Sequence, residues 1–233
     1  MNRITLALAD GAIVAKRNLI KIKRVPDVLV FTLLSPIMFV LLFAYVFGGS
    51  IEVPGVNYRE FLIAGIFAQT VVFGATFSGA GMADDMQKGI IDRFRSLPMS
   101  RAAVLVGRTG SDIVNNVLSL AVMSATGLLV GWRIRTSVPE AVAAFVLILL
   151  FAYAISWVMA YVGLIVPTPE VVNNASFMVI FPLTFLANTF VPAQNLPGML
   201  RVFAEWNPVS ALTQAARELF GNTGPQAAPP DVW

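Results

Sequence analysis

Charged residues fall in clusters along this chain, and between the clusters lie five uncharged stretches, 28–51, 61–83, 113–132, 141–169 and 171–200. Each is at least 20 residues long, and about 20 apolar helical residues cross the ~30 Å hydrocarbon core of a bilayer. The pattern predicts an all-α polytopic membrane protein with spans at 28–48, 61–83, 113–132, 141–166 and 172–191. The two prolines of "VPTPE" end the fourth span, and Pro192 ends the fifth.

The polar stretches carry patterns of their own. In residues 3–24, Ile4, Leu8, Ala12, Ala15, Leu19 and Ile22 form an apolar stripe, with Arg3, Asp10, Arg17, Lys21 and Arg24 roughly opposite. Residues 1–27 are therefore expected to be a basic amphipathic helix lying among lipid headgroups. The segment 84–108, "DDMQKGIIDRFRSLPMSRAAVLVGR", holds eight charges between two uncharged runs. Read as one helix, it places Met86, Ile90, Phe94 and Leu97 on one face and Lys88, Asp92 and Arg95 on the other. Pro98 stops that helix, and Ser100 is placed to cap the next. Two readings stay open: a solvated loop, or a helix offering its apolar face to a groove on a soluble partner. Residues 192–233 contain two amphipathic stretches, "LPGMLRVFAEW" and "PVSALTQAARELF", read as short external helices folded against the membrane surface. The ending "PPDVW" looks like the lead-in to a sixth span.

Composition narrows the function. The chain is 57% hydrophobic and 12% charged, where soluble domains are about a quarter charged, so lipid is the missing apolar partner. The absence of Cys and His excludes disulfides, thiol chemistry, Ser/His/Asp catalysis and the common zinc sites. No GxxxxGK[ST] occurs, so the chain carries no P-loop of its own. The middles of the spans hold no ionisable residue of the kind that relays protons or pairs with ions, which weakens proton-coupled transport. Asp112 lies one turn beyond Arg108 at the start of the third span, as an i,i+4 pair. Basic residues flank apolar runs and form no separate domain, so no nucleic acid is expected. Eleven Lys and Arg lie on the side of the N-terminus and segment 84–108, against five on the other. That asymmetry puts the N-terminus in the cytoplasm of a multi-pass protein of the plasma or inner membrane.

Three stretches resemble the membrane subunits of type-2 ABC transporters, above all bacterial drug exporters of the daunorubicin-resistance type: "NLIKIKRVPDVLVFTLLSPIMFVLLFAYVFG", "GIIDRFRSLPMSRAAVLVGRTGSDIV" and "FVPAQNLPGMLRVFAEWNPVSALTQAARELF". The resemblance implies the type-2 exporter transmembrane fold, usually of six spans, of which five are visible here. It implies that Ile90, Ile91, Asp92, Arg93, Phe94, Arg95, Ser96, Leu97 and Pro98 form a coupling helix received by an ATPase subunit. Two ATPase subunits, which bind ATP and Mg, would work with two membrane subunits as a homodimer or a paralogous heterodimer. This chain would bind no cofactor and catalyse no reaction itself. In the family, spans 2 and 5 tend to face the substrate path, which here presents Gln69, Phe73, Phe77, Asn173, Phe177, Phe181, Phe185 and Asn188. Aromatic walls with a few amides suit a hydrophobic or amphipathic compound, such as a drug, an antibiotic or a lipid-like molecule. Polysaccharide or lipid export by the same family, and a scaffold that recruits a partner without transport, are the alternatives.

Overall fold

A computed structural model describes residues 3–24, 26–47, 55–100, 102–193 and 196–223. The long elements among them are helices: α1 Arg3–Arg24, α2 Pro26–Leu42, α3 Tyr58–Gln87, α4 Ile90–Arg95, α5 Ala103–Val130, α6 Val138–Ile165, α7 Pro169–Phe185, α8 Gly198–Trp206 and α9 Pro208–Phe220. A π-helical turn, Phe43–Phe47, follows α2. Three helices, α3, α5 and α6, are long and apolar enough to cross a membrane by length and composition. The shorter α2 and α7 have 17 residues each.

Backbone chemistry sets the breaks. Gly89, Gly131 and Gly221 take the left-handed conformation that ends α3, α5 and α9. Asn207 caps α9 by accepting the Val209 N–H at 2.9 Å, and Pro208 follows at the first helical position. The fifth span, expected through 191, stops as a helix at Phe185. Its last carbonyls go elsewhere: Asn207 Nδ2 donates to the Leu183 carbonyl at 2.6 Å.

The chain divides into two compact units. The first contains Met1–Leu33, Val71–Ser119 and Leu149–Phe181; the second contains Leu34–Thr70, Leu120–Ile148 and Pro182–Trp233. In the first unit, helices cross through glycine. A Cβ on Gly163 would strike the Gly79 carbonyl, and one on Gly79 would meet the Met159 carbonyl at 2.8 Å. These contacts bring α3 and α6 together backbone to backbone, as small residues do in membrane helix pairs. Likewise Gly107 on α5 sits against α1, where an added Cβ would lie 2.5 Å from Val14 Cβ and 2.7 Å from the Gly11 carbonyl. The buried face of α1 is thus Gly11, Val14 and Asn18, while Ala12 and Ile13 are exposed. Of the stripe expected to face lipid, Ala12 is exposed and Ala15 and Leu19 are half-buried; the face packed on α5 is a separate one, where the crossing needs the small Gly11.

The second unit is built on aromatic packing. Phe67, Trp132, Phe145 and Phe220 form a cluster with ring centroids 5.1–6.1 Å apart, mostly edge to face. Leu62, Ile63, Ile66, Met123 and Ile148 are buried with them.

Outward faces stay apolar. On α6, Val142, Val146, Leu150, Val158, Tyr161 and Ile165 are all exposed. In water such a surface would be a liability, and in lipid it is the solvent-matched face.

Candidate functional site

The segment between α3 and α5 belongs wholly to the first unit. Asp84 pairs with Lys88 across the last turn of α3, and its hydrogen bond and charge raise the Lys88 ammonium above the usual lysine range. Gly89, at φ 65°, then turns the chain into α4. Nothing lies within 4 Å of the Cβ position of Gly89, so conformation and not space demands the glycine. The turn resets the helical register, so Met86 belongs to α3 and the expected continuous face does not form. Ile91 is the buried residue of α4, packed with Met82 and Ala160, with Met86, Val104, Leu105 and Leu164 around them. Ile90 and Phe94 are half-buried, while Asp92, Arg93, Ser96, Leu97 and Pro98 are exposed. Arg95 ends the helix, and its side chain lies outside the described residues. A cleft of about 480 Å³ opens beside α4, lined by Met82, Ile91, Phe94, Met99, Ser100, Val104, Leu105 and Leu164.

Helix α1 holds this segment at three points. Arg17 pairs with Asp85 near the end of α3, donates to Asn18 Oδ1 from two of its nitrogens, and lies 5.2 Å above the Phe94 ring. Asp10 accepts the Ser100 N–H at 2.9 Å, beyond α4. The sequence pattern placed Arg17 and Asp10 on the polar face of a lipid-bound helix, and it carried no signal for these long-range partners.

The Arg108–Asp112 pair is present at 3.9 Å, and it does more than link successive turns of α5. Ser78 of α3 donates to the Asp112 carboxylate, while Arg108 crosses over Gly81 to donate to the Phe77 carbonyl. Both members of the pair therefore also bind α3.

Three of the eight residues proposed to line a substrate path come together in the first unit. Phe177 lies 6.3 Å from Phe73 and 5.2 Å from Phe181, and its ring is more than half exposed. Phe77 and Asn173 are exposed on the same helices. The other three lie in the second unit. Gln69 is buried there, and Phe185 packs on Phe190 at 5.1 Å. Asn188 is held by α9: its N–H donates to Ser210 Oγ at 3.0 Å and its carbonyl accepts from Arg217 at 2.8 Å.

Arg217 is itself an unexpected centre. It is fully buried, donates to the Phe61, Asn188 and Thr189 carbonyls, and lies 3.4 Å from the Phe61 ring centroid. Nearby, Glu60 accepts two hydrogen bonds from Arg135, at 2.8 and 2.7 Å, and Trp132 donates to Asn222 at 2.7 Å. The sequence did carry a signal for Arg217, which falls on the same helical stripe as Val209, Thr213 and Phe220.

The profile of the family described as ABC-2 type transporter matches residues 11–220, from α1 to the end of α9. The chain belongs to the ABC-2 type transporter family. The chain is 33% identical over 207 residues to the daunorubicin resistance ABC transporter permease protein DrrB1 of Streptomyces coeruleorubidus, covering 89% of this chain and 73% of that protein. A probable doxorubicin resistance ABC transporter permease protein, DrrC, of Mycobacterium tuberculosis is 23% identical over 229 residues, covering 98% and 82%. A putative transport permease, ycf38, of Cyanophora paradoxa is 24% identical over 215 residues, covering 91% and 74%. As an ABC-2 type transport permease subunit, the chain fits its helical architecture and its apolar outward faces.

Proposed function

We propose that this chain is the membrane-spanning subunit of an ATP-driven exporter, energised by a separate ATPase subunit that docks on α4. The observation that carries the reading is the bracketing of α4. A six-residue helix lies between the long apolar helices α3 and α5; Arg17 of α1 lies over its Phe94, and Asp10 of α1 holds Ser100 just beyond it. Displacement of α4 by a partner would pull on the ends of α3 and α5 together. Two ATPase subunits holding ATP and Mg, and a second membrane subunit identical or paralogous to this one, complete the working transporter. The excess of basic residues around α1 and α4 supports a cytoplasmic N-terminus in the plasma or inner membrane.

The cargo is a hydrophobic or amphipathic compound. The exposed rings of Phe177 and Phe181, packed with the half-buried Phe73, support this, together with relatives named for resistance to daunorubicin and doxorubicin. The test is co-purification from detergent-solubilised membranes, with and without a non-hydrolysable ATP analogue. Wild-type protein is expected to bring down an ATPase subunit, and Phe94→Asp/Arg95→Glu to lose it. Arg93→Glu alters an exposed residue and separates lost docking from lost folding. Absence of any ATPase from the wild-type sample refutes the reading.

A further inference from the structure

The ATPase docking proposed above uses the exposed side of α4. The cleft of about 480 Å³ opens on the side of its buried residue, Ile91, and lies wholly within the first unit. Its walls are helix ends. Met82 lies in the last two turns of α3, Val104 in the first turn of α5 and Leu164 in the last turn of α6. All three helices are long and apolar enough to cross a membrane. The cleft therefore sits where their apolar length ends, at the level where acyl chains give way to headgroups.

Size and charge narrow the occupant. Among the described lining side chains only Ser100 is polar. A dry cavity of about 150 Å³ holds benzene, with six carbons, so on that scale the cleft takes roughly 19 carbons, one acyl chain and not two. The border of the cleft is basic. Phe94, which lines it, lies 5.2 Å below the Arg17 guanidinium. In the sequence Phe94 stands between Arg93 and Arg95, and Ser100 is followed by Arg101. From Lys88 to Arg101 there are four basic residues and one acid, Asp92. The neighbouring acids are already engaged: Asp84 with Lys88, Asp85 with Arg17 and Asp10 with the Ser100 N–H. An excess of guanidinium beside an apolar cleft at the membrane boundary suits a phosphate attached to a hydrocarbon chain.

We propose that the cleft takes one acyl chain of an anionic phospholipid, whose phosphate is held by the basic residues around Phe94 and Ser100. The chain packs against Ile91 and Phe94, so a bound lipid supports α4 from the side opposite the ATPase subunit. The proposal rests on the chain's being membrane-embedded, and not on ATPase docking, the cargo or the direction of transport.

The test is photo-labelling of the protein in phosphatidylcholine liposomes. They contain a trace of phosphatidylglycerol bearing a diazirine on one acyl chain or, in parallel, phosphatidylcholine with the same label. Labelled peptides are mapped by mass spectrometry and scaled to the outward face of α6 around Leu150, which both probes reach. Peptides containing Met82, Val104 and Leu164 are expected to take several-fold more of the phosphatidylglycerol probe than of the phosphatidylcholine one. Leu105→Trp, which fills the cleft, should remove that labelling. Arg93→Glu changes an exposed residue without disturbing packing, and should lower only the phosphatidylglycerol signal, several-fold. Equal labelling by the two probes, or an Arg93→Glu protein that labels like wild type, overturns the proposal. Absence of label in the cleft while the Leu150 face is labelled assigns the cleft to cargo or protein and overturns it as well. Absence of label around Leu150 refutes the membrane reading itself, and the proposal falls with it.

Discussion

Removal of Arg17 tests whether α1 fastens the α4 segment. The Asp85 side chain is 7% exposed and that of Arg17 is 36% exposed, so the pair lies between two regimes. Exposed pairs contribute about 0.2–1 kcal/mol, whereas stripping the partner from a buried charge costs about 3–5 kcal/mol. Water reaches Arg17 on one side, and this screening brings the cost of leaving Asp85 alone to about 1.5–2 kcal/mol. Loss of the cation over the Phe94 ring adds about 0.5–1 kcal/mol. Arg17→Ala is therefore expected to destabilise the first unit by about 2–3 kcal/mol. The measurement is a double-mutant cycle of Arg17→Ala and Asp85→Ala, with unfolding followed by SDS titration in mixed micelles. The expected coupling energy is about 1–2 kcal/mol, because the double variant leaves no orphaned carboxylate. Arg17→Lys should fall between, since a point charge keeps the attraction and loses the planar fork that also reaches Asn18. A coupling energy below about 0.5 kcal/mol, no larger than that of an exposed pair, would refute the reasoning and detach α1 from the segment.

Other perturbations follow the same logic. Gly163→Leu forces side-chain atoms into the Gly79 carbonyl and is expected to cost about 3 kcal/mol or more, seen as loss of monodisperse protein on size exclusion. Gly89→Ala meets no atom and pays only the left-handed penalty of about 1–2 kcal/mol. It should weaken ATPase co-purification while Gly198→Ala, equally open and without the positive φ, changes nothing. Trp132→Phe removes the donor to Asn222 Oδ1 and leaves a buried acceptor unpaired, lowering stability by about 1–3 kcal/mol in the same SDS titration.

What could be read from the chain follows from what each kind of signal measures. The long apolar runs announce α3, α5 and α6, because crossing a bilayer is a requirement on one segment by itself. Gly89 was visible as a residue, yet the expected face through Met86, Ile90, Phe94 and Leu97 ignored that a left-handed residue rotates everything after it. The face of α1 that packs on α5 carried no hydrophobic signal, because the crossing with Gly107 needs the small Gly11, which an apolar stripe does not count. Asp10, Arg17 and Asp85 could not be paired from sequence, since their partners are set by tertiary packing over separations of 68 to 90 residues. Of the residues proposed to line a substrate path, Phe73, Phe177 and Phe181 meet in the first unit. Asn188 belongs to the second unit, where its backbone N–H and carbonyl are bound by α9.

The crossing of α3 and α6 at Gly79 and Gly163 has a mechanical consequence. At most helix contacts a change of angle obliges side chains to move between rotamers, and each such move adds friction and a preferred set of angles. Here the Gly79 carbonyl stands where a Cβ of Gly163 would be, and the side chains of Val172, Met159 and Met82 flank the contact. The helices cannot come closer, and a turn about that point is resisted only by those flanking side chains. The contact is a pivot: stiff to compression, soft to torque.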